Sequence, residues 1–463
     1  MPDQTSRSPS PAASPGLLDL DDLNALAQAG EIDTVMLGVP DMMGRLKGKN
    51  LDALHFLSQL PAGPQMCGYV LASDVDMTPL PGYELTGWHD GYGDLRVIPD
   101  LDTIRRLSYL PGTVLVHGDA ARPGGKPVQV APRQILRRQL EALAAHGLEA
   151  RVGIESEFVL YKGTETRVRR AGYRGLRPVA FDNLDYALDR PPAVSSFFHR
   201  LQYALRQAGT PVEAVKTEGA PGQIEVTWPY GDPLRACDAY TVHQHAVRHI
   251  AARHRMTATF MAAPQTGIGS GLHLHLSLWH KGEPAFDLRP DEDLPDLLQH
   301  SIAGLISAMP HLVPLYAPTT NSFARYMPRS FAPTNYTWGR DNRTCAVRLL
   351  GHHEQTHLEV RLPGADANPY LALSATIAAI THGLTDQPKL PEPCTGDAYE
   401  AVDPLGVPRS LEEARTDFAE SRIALHAFGA PVVAHYSRAA EVEIEAQRGK
   451  VTDIDRERGF LRA

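Results

Sequence analysis

Residues 271–278 read Gly-Leu-His-Leu-His-Leu-Ser-Leu. A strict two-residue alternation over that length fits an extended strand with one apolar face. Leu272, Leu274, Leu276 and Leu278 then line a core, while His273, His275 and Ser277 share the opposite side. Two further segments group polar residues in the same way. Arg151-Val-Gly-Ile-Glu-Ser-Glu-Phe158 sets Glu155 and Glu157 on one face, and Leu358-Glu-Val-Arg-Leu362 does so for Glu359 and Arg361. Solvated strand faces usually carry Lys, Thr or Ser. The patterns here are E-x-E, H-x-H and E-x-R, the ligands and counter-ions of a hard-metal site.

A fourth segment runs from Glu213 to Glu225, and Gly219 with Pro221-Gly222 forces a turn that leaves Glu218 and Glu225 flanking one loop. If the segments converge, Glu155, Glu157, Glu218, Glu225 and Glu359 meet. Such carboxylates cannot share a cavity without large pKa shifts or bound cations. Two or more divalent ions would neutralise them, and the oxygen-rich donor set suits Mg2+ or Mn2+. Arg325, Arg343, Arg348 and Arg361 supply the opposite sign and suit a carboxylate and a transferring phosphoryl group. Metals, carboxylates and arginines without a nucleophile motif point to ATP-dependent phosphoryl transfer. There is no GxSxG elbow and no Walker A; Gly267-Ile-Gly-Ser-Gly271 misses the dinucleotide spacing. His245 and His249 lie four apart without the Glu of a zincin motif, and read as structural. His352 and His353 read likewise, whereas His357 lies one step outside the Glu359 pair and is the better functional candidate.

The rest of the chain fixes organisation. It has 463 residues, 43% hydrophobic and 21% charged, which excludes a wholly disordered polymer. Lys+Arg 45 against Asp+Glu 54 gives −9, so nucleic acid and acidic membrane are not expected partners. The four cysteines form no CxxC, no apolar run reaches transmembrane length, and a cytoplasmic location is expected. Residues 1–16, rich in Pro and Ser, read as a disordered tail without a signal peptide. Helices are expected at 17–28, 132–147, 233–256, 295–309, 368–385, 410–422 and 430–447. Strands are expected at 34–39, 66–72, 94–98 and 114–117, with a basic-rimmed turn over Asp41–Lys49. Ala121-Arg-Pro-Gly-Gly-Lys-Pro127 is the best linker, which divides a small β-rich domain at 17–122 from a larger one at 123–463.

In order along the chain, these motifs resemble the glutamine synthetase family. They are Gly153-x-Glu155-x-Glu157-Phe158, Glu218-Gly-Ala-Pro-Gly-Gln-Ile-Glu225, Gly269-Ser-Gly-Leu-His273-Leu-His275-Leu-Ser277, Asn342-Arg343, and Glu359-Val-Arg361 followed by Asn368-Pro-Tyr370. The resemblance implies an α+β chain: a small N-terminal β-grasp domain, then a large catalytic domain with an antiparallel sheet and helices. It implies two or three Mg2+ or Mn2+ ions per site, with ATP as co-substrate. It also implies a dodecamer of two hexameric rings with active sites between subunits. By motif, Glu157, Glu218 and Glu225 would hold one metal, and Glu155, His273 and Glu359 the second. His275, Ser277, Glu213 and Tyr230 would meet the nucleotide, with Arg343 and Arg348 near its phosphates. Gly269, Arg325 and Arg361 would bind glutamate, and a neighbour's Asp74 or Asp76 would reach the amine.

The departures from the family matter as much. Members that use ammonia carry a Glu on a flap before Ala-Pro; here Phe331 precedes Ala332-Pro333. Ile268 replaces the Asn before the Gly-Ser-Gly turn, Lys216 replaces a His, and Glu354 and His357 replace basic groups near the adenine. Metal and phosphate chemistry is kept and the amine end rebuilt, as in the branch that joins glutamate to organic amines. Exchanging a carboxylate for Phe331 favours an amine with a short carbon stem, of ethanolamine size, ahead of polyamines. The alternatives are an ammonia-dependent glutamine synthetase, which Phe331 disfavours, and a catalytically silent ring protein, which the retained metal ligands disfavour.

Overall fold

The computed structural model describes residues 16–290, 292–402 and 404–462, so the expected tail lies, but for Gly16, outside the described residues. Two sheets organise the chain. The first comprises Thr34–Pro40 (β1), Leu46–Asp52 (β2), Gln65–Cys67 (β3), Asp94–Pro99 (β4), Arg105–Arg106 (β5) and Thr113–Ala121 (β6). Its order is β2-β1-β6-β4-β3, with β5 beside β6. Only β1 and β6 run parallel. Val35, Leu37 and Val39 of β1 alternate into a core with Val114 and Val116, closed by Leu23 and Phe56 of the helices Leu20–Gln28 and Ala53–Ser58.

Two sequence expectations need correction here. The stretch over Asp41–Lys49 is a turn only as far as Gly44; from Leu46 the chain returns as the edge strand β2 against β1. Lys and Gly are poor strand formers in general, yet lysines are common on edges, where they discourage further pairing. Gly48 has a direct reason: a Cβ there would lie 1.9 Å from the Leu37 carbonyl oxygen. The strand expected at 66–72 stops at Cys67 and gives way to one 3-10 turn at Gly68–Leu71, which buries Leu71. After β6, Arg122 N donates to Lys126 O at 2.8 Å and Val128 N to Ala120 O at 2.9 Å, so Ala121–Pro127 is a hydrogen-bonded turn.

The second sheet comprises Glu149–Lys162 (β7), Ala214–Thr217 (β8), Gln223–Thr227 (β9), Met256–Thr259 (β10), Leu272–His280 (β11), Glu283–Pro284 (β12), Trp338–Arg340 (β13), Val347–Leu350 (β14) and His357–Val360 (β15). The order is β13-β14-β15-β11-β7-β9-β8, antiparallel except for β13 with β14. Leu272, Leu274, Leu276 and Leu278 are all buried, as the alternation requires, within the main core cluster. The helices Pro132–Ala144, Pro233–Arg253, Asp296–Ala308 and Pro369–Asp386 contribute to the same core. The expected helix at 410–422 is two: Leu411–Glu420 and Arg422–Phe428, each capped by a serine side chain. Among the described residues no helix is long and apolar enough to cross a membrane.

A buried charge cluster ties the first sheet to these helices. Arg133 reaches Asp100 Oδ2 at 2.7 Å, Asp119 Oδ1 at 3.2 Å and Asp238 Oδ2 at 3.0 Å, and Tyr370 donates to Asp238 Oδ1 at 2.6 Å. Removing the cation strands Asp238 in the core without its counter-ion. Arg133→Met should therefore lower stability in urea unfolding by roughly 3–5 kcal/mol. Arg137, which contacts the same two exposed-side aspartates from a side chain 37% exposed, should lose less than about 1 kcal/mol as Arg137→Met.

Candidate active site

The strand register assembles the polar face residue by residue. His273 on β11 lies opposite Glu155 on β7, and His275 opposite both Gly153 and, across on β15, Glu359. Glu359 in turn lies opposite Arg348 on β14. On the other flank of β7, Glu157 lies opposite Glu225 of β9, which lies opposite Lys216 of β8. Cβ atoms of directly opposed residues sit about 4.5–5.5 Å apart, so each pair can touch. One face of one sheet thus gathers Glu155, Glu157, Glu225, Glu359, His273 and His275. Glu218 joins from the loop after β8.

The contacts are specific. His273 Nδ1 is 2.6 Å from Glu155 Oε1 and 3.4 Å from Glu359 Oε1. His275 Nε2 is 3.5 Å from Glu155 Oε2. Glu359 is buried between Arg361, which pairs with it closely, and Arg348, whose Nη1 lies 3.0 Å from Oε2. Arg348 also pairs with Asp341. Glu157 Oε2 accepts from Gln223 Nε2 and from Gly271 N, each at 2.9 Å. Lys216 contacts Glu218 and lies 3.1 Å from Glu225 Oε2. Arg325, buried, donates to Leu362 O at 3.0 Å and Arg361 O at 3.2 Å. At Gly271 a Cβ would lie 2.6 Å from His273 Nε2 and 2.9 Å from Arg325 Nη2, so any larger residue would displace one of these two side chains.

Burial pushes every one of these carboxyls up, and its neighbours decide the outcome. Despite burial, His273 and then His275 hold Glu155 well below the usual range. Glu359 is likewise held down despite burial, by Arg361 and then His273. Glu218 is lowered against burial by Lys216. Burial raises Glu157, which His273 only partly opposes. Burial, with the charge of Glu155, pushes Glu225 up to about 9. His275 is raised against burial by Glu155.

Beside this face opens a cavity of about 430 Å³ lined by Gly153, Glu213, Tyr230, His275, Ser277 and His357, among others. Four of these are the sequence's nucleotide candidates. Tyr230 faces Trp279 at 6.4 Å between ring centroids, and the Arg151 guanidinium lies 4.9 Å over the Trp279 ring. His357 stands 5.4 Å from His275, ring to ring. Gly269 O accepts from Gln223 Nε2 at 2.8 Å, close to Arg325. Phe331 is 63% exposed, and its carbonyl accepts from Arg361 Nη2 at 3.3 Å. Tyr399 steadies that segment by donating to Ala332 O at 3.0 Å.

Not every candidate comes to this face. Arg343 is exposed on the turn before β14, near Asp341. Asp74 and Asp76 sit in a turn of the first sheet's region, where Asp74 Oδ1 caps Thr78 N at 2.7 Å and Asp76 is exposed. The structure brings neither to the carboxylates of its own subunit. His245 and His249 stack on each other, and His245 Nδ1 meets Tyr109 OH at 3.0 Å, away from the carboxylates.

The donor set fits divalent ions of the hard type. Among the described residues, ligand atoms of Glu155, Glu157 and His273 lie within 4.8 Å of one another, as do those of Glu155, His275 and Glu359. This grouping differs from the one the motifs imply: His275 stands with Glu155 and Glu359 in place of His273, and Glu218 and Glu225 contact Lys216 instead of joining Glu157. Sequence reading also passed over Gln223, Asp185 and Tyr186. Gln223 shares the alternation of β9 with Glu225 and was legible from it; Asp185 and Tyr186 lie in an irregular loop that has no periodic signal.

Comparison with known proteins agrees with this geometry. The family model described as glutamine synthetase, catalytic domain, matches residues 129–459. Gamma-glutamylethanolamide synthetase GlnA4 of Streptomyces coelicolor is 43% identical over 446 residues, covering 96% of each chain. Glutamate–isopropylamine ligase of a Pseudomonas species is 32% identical, covering 91% of this chain and 94% of that one. The solved GmaS/ADP complex superposes with a TM-score of 0.82 at 24% identity, over 95% of this chain and 99% of that one, a likeness of fold. The chain belongs to the glutamine synthetase family and is an ATP-dependent carbon–nitrogen ligase of that type.

The raised carboxyls set a pH dependence. With Glu225 near 9 in the folded chain and about 4.3 when unfolded, the folded state holds a proton that the unfolded state lacks. That stabilisation is present below the unfolded value and lost as pH rises through the folded one. Glu157 and His275 shift in the same direction. Buried His243, His245 and His435, lowered by burial to about 3, 4 and 4, act in the opposite sense. Their unfolded value of about 6.5 confines that effect below pH 7. In EDTA, Tm should therefore fall between pH 7 and 8, and Glu225→Gln should flatten the fall.

Proposed function

We propose that this chain joins the γ-carboxylate of L-glutamate to a small primary amine, with an ethanolamine-like monoamine preferred and polyamines second. The observation that carries the reading is Phe331, an aromatic tied through its carbonyl to Arg361 beside the buried Glu359, where ammonia users of the family carry a carboxylate. The 43% identity to a gamma-glutamylethanolamide synthetase supports the same choice.

In this reading Glu155, Glu157, Glu218, Glu225, His273 and Glu359 hold two or three Mg2+ or Mn2+ ions. Such ions, when bound, neutralise the carboxylates and the phosphate charge. The cavity beside β11 takes the nucleotide: Tyr230 offers a ring face, and Glu213, His275 and Ser277 offer polar contacts. Arg348 and Arg343 meet its phosphates. Arg325, Arg361 and Gly269 hold glutamate, with the two guanidiniums opposing its carboxylates.

An oxygen of the glutamate side chain attacks the γ-phosphorus, the bond to ADP breaks, and a γ-glutamyl phosphate forms. The neutral amine nitrogen then attacks the acyl carbon, the carbon–oxygen bond to phosphate breaks, and inorganic phosphate leaves. The amine must first give up its ammonium proton. In this reading Asp74 or Asp76 of a neighbouring subunit accepts it. Both sit in a turn with exposed Val75 and Met77, outside their own subunit's site. The C-terminal residues Ile454, Phe460 and Leu461 are exposed as well, and such apolar groups suit burial between subunits of a dodecamer. The division into domains at 17–122 and 123–463 belongs to the same reading.

The test is kcat/KM for ammonium, ethanolamine, putrescine and spermine on the wild type and on Phe331→Glu. Burying two methylenes is worth about 1.6 kcal/mol, so ethanolamine should exceed ammonium by roughly tenfold in the wild type. Phe331→Glu should shift the preference toward ammonium. A wild type that works best with ammonium would make the chain an ordinary glutamine synthetase; one that works best with spermine would overturn only the size argument.

A further inference from the structure

We propose that Lys216 is a built-in cation holding the place of a divalent ion between Glu218 and Glu225, so that an ion entering there must displace its ammonium. The inference rests on the reading of Glu218 and Glu225 as metal-binding carboxylates. Lys216 lies opposite Glu225 across the β8–β9 pair, and two residues from Glu218, so all three share one face. Its Nζ contacts the Glu218 carboxylate and stands 3.1 Å from Glu225 Oε2. The ammonium thus occupies the space between the ionised Glu218 and the Glu225 carboxyl, the two groups read as ligands. The two groups of candidate ligands among the described residues both centre on Glu155, and neither contains Glu218 or Glu225.

The same ammonium has further partners on its loop side. Asp185 Oδ1 lies 3.6 Å from the same Nζ, and the Tyr186 ring centroid lies 4.5 Å from it. The loop that supplies both is pinned to β8: Thr217 Oγ1 donates to Leu184 O at 2.6 Å and Tyr186 N to Thr217 O at 3.3 Å. An ammonium pushed away from Glu218 and Glu225 toward this loop would still have a carboxylate and an aromatic face beside it. Being tethered, it competes at high local concentration. It stabilises the chain without metal and weakens the ion that enters between Glu218 and Glu225.

The experiment is Mn2+ titration by calorimetry on the full chain and on Lys216→Met, with Tm recorded in EDTA and in Mn2+. Lys216→Met should bind one Mn2+ at least about tenfold more tightly, since removing one positive charge deepens the local negative field. Its Tm in EDTA should drop, and Mn2+ should raise it by more than in the wild type. Adding Glu218→Gln to Lys216→Met should recover the Tm in EDTA, because Glu218 is the carboxylate held ionised beside the lysine; that separates lost charge pairing from lost packing of the lysine stem. Equal or weaker Mn2+ affinity in Lys216→Met, with an unchanged gain in Tm, overturns the proposal alone. If neither protein binds Mn2+, the metal reading falls and this inference with it.

Discussion

The pairing of His273 with Glu155 across β11 and β7 is the contact on which the site depends. It fixes the register of the two central strands, because a slip by one residue would turn every leucine of β11 to the polar face. With that register set, Glu359 and Arg348 follow on one flank, and Glu157, Glu225 and Lys216 on the other. The leucine face supplies the burial that makes the register costly to lose. The polar face then has to gather like charges in a low-dielectric place, which is tolerable only with built-in partners or bound cations.

The partners are distributed unevenly, and the uneven distribution gives the face its chemistry. Glu359 lies between two arginines, and Glu155 beside two histidines, so both stay ionised. Glu157 and Glu225 are raised, so protons can stand in for cations there. Protons, the Lys216 ammonium and divalent ions are therefore alternatives on one surface. Phe331 borders this face without adding charge: its backbone carbonyl accepts from Arg361 while its ring is largely exposed.

Much of this was legible in the chain because period-two alternation places side chains without any knowledge of tertiary structure. E-x-E, H-x-H and E-x-R each declared a shared face, and the family motifs put those faces in one sheet. Lys216-x-Glu218 obeys the same rule, yet a lysine on a strand reads as solvated until its opposite strand is known. Asp185, Tyr186 and the serine-capped break between Glu420 and Arg422 lie in irregular backbone, where local sequence has no period to follow. β2 escaped because an edge strand of lysines and glycine lacks an apolar face. Asp74 and Asp76 lie in a turn outside the face, and the part proposed for them depends on a neighbouring subunit, which alternation does not encode.

Transfer of an isotope label tests the central claim most directly. Glutamate carrying 18O in its γ-carboxylate, incubated with ATP, Mg2+ and ethanolamine, gives a phosphate whose oxygen content is readable by mass spectrometry or phosphorus NMR. If the carboxylate face activates glutamate as an acyl phosphate, each inorganic phosphate released with γ-glutamyl product carries one 18O. Phosphate released with no label, while the amide forms, would contradict the acyl-phosphate route and with it the role given to this face.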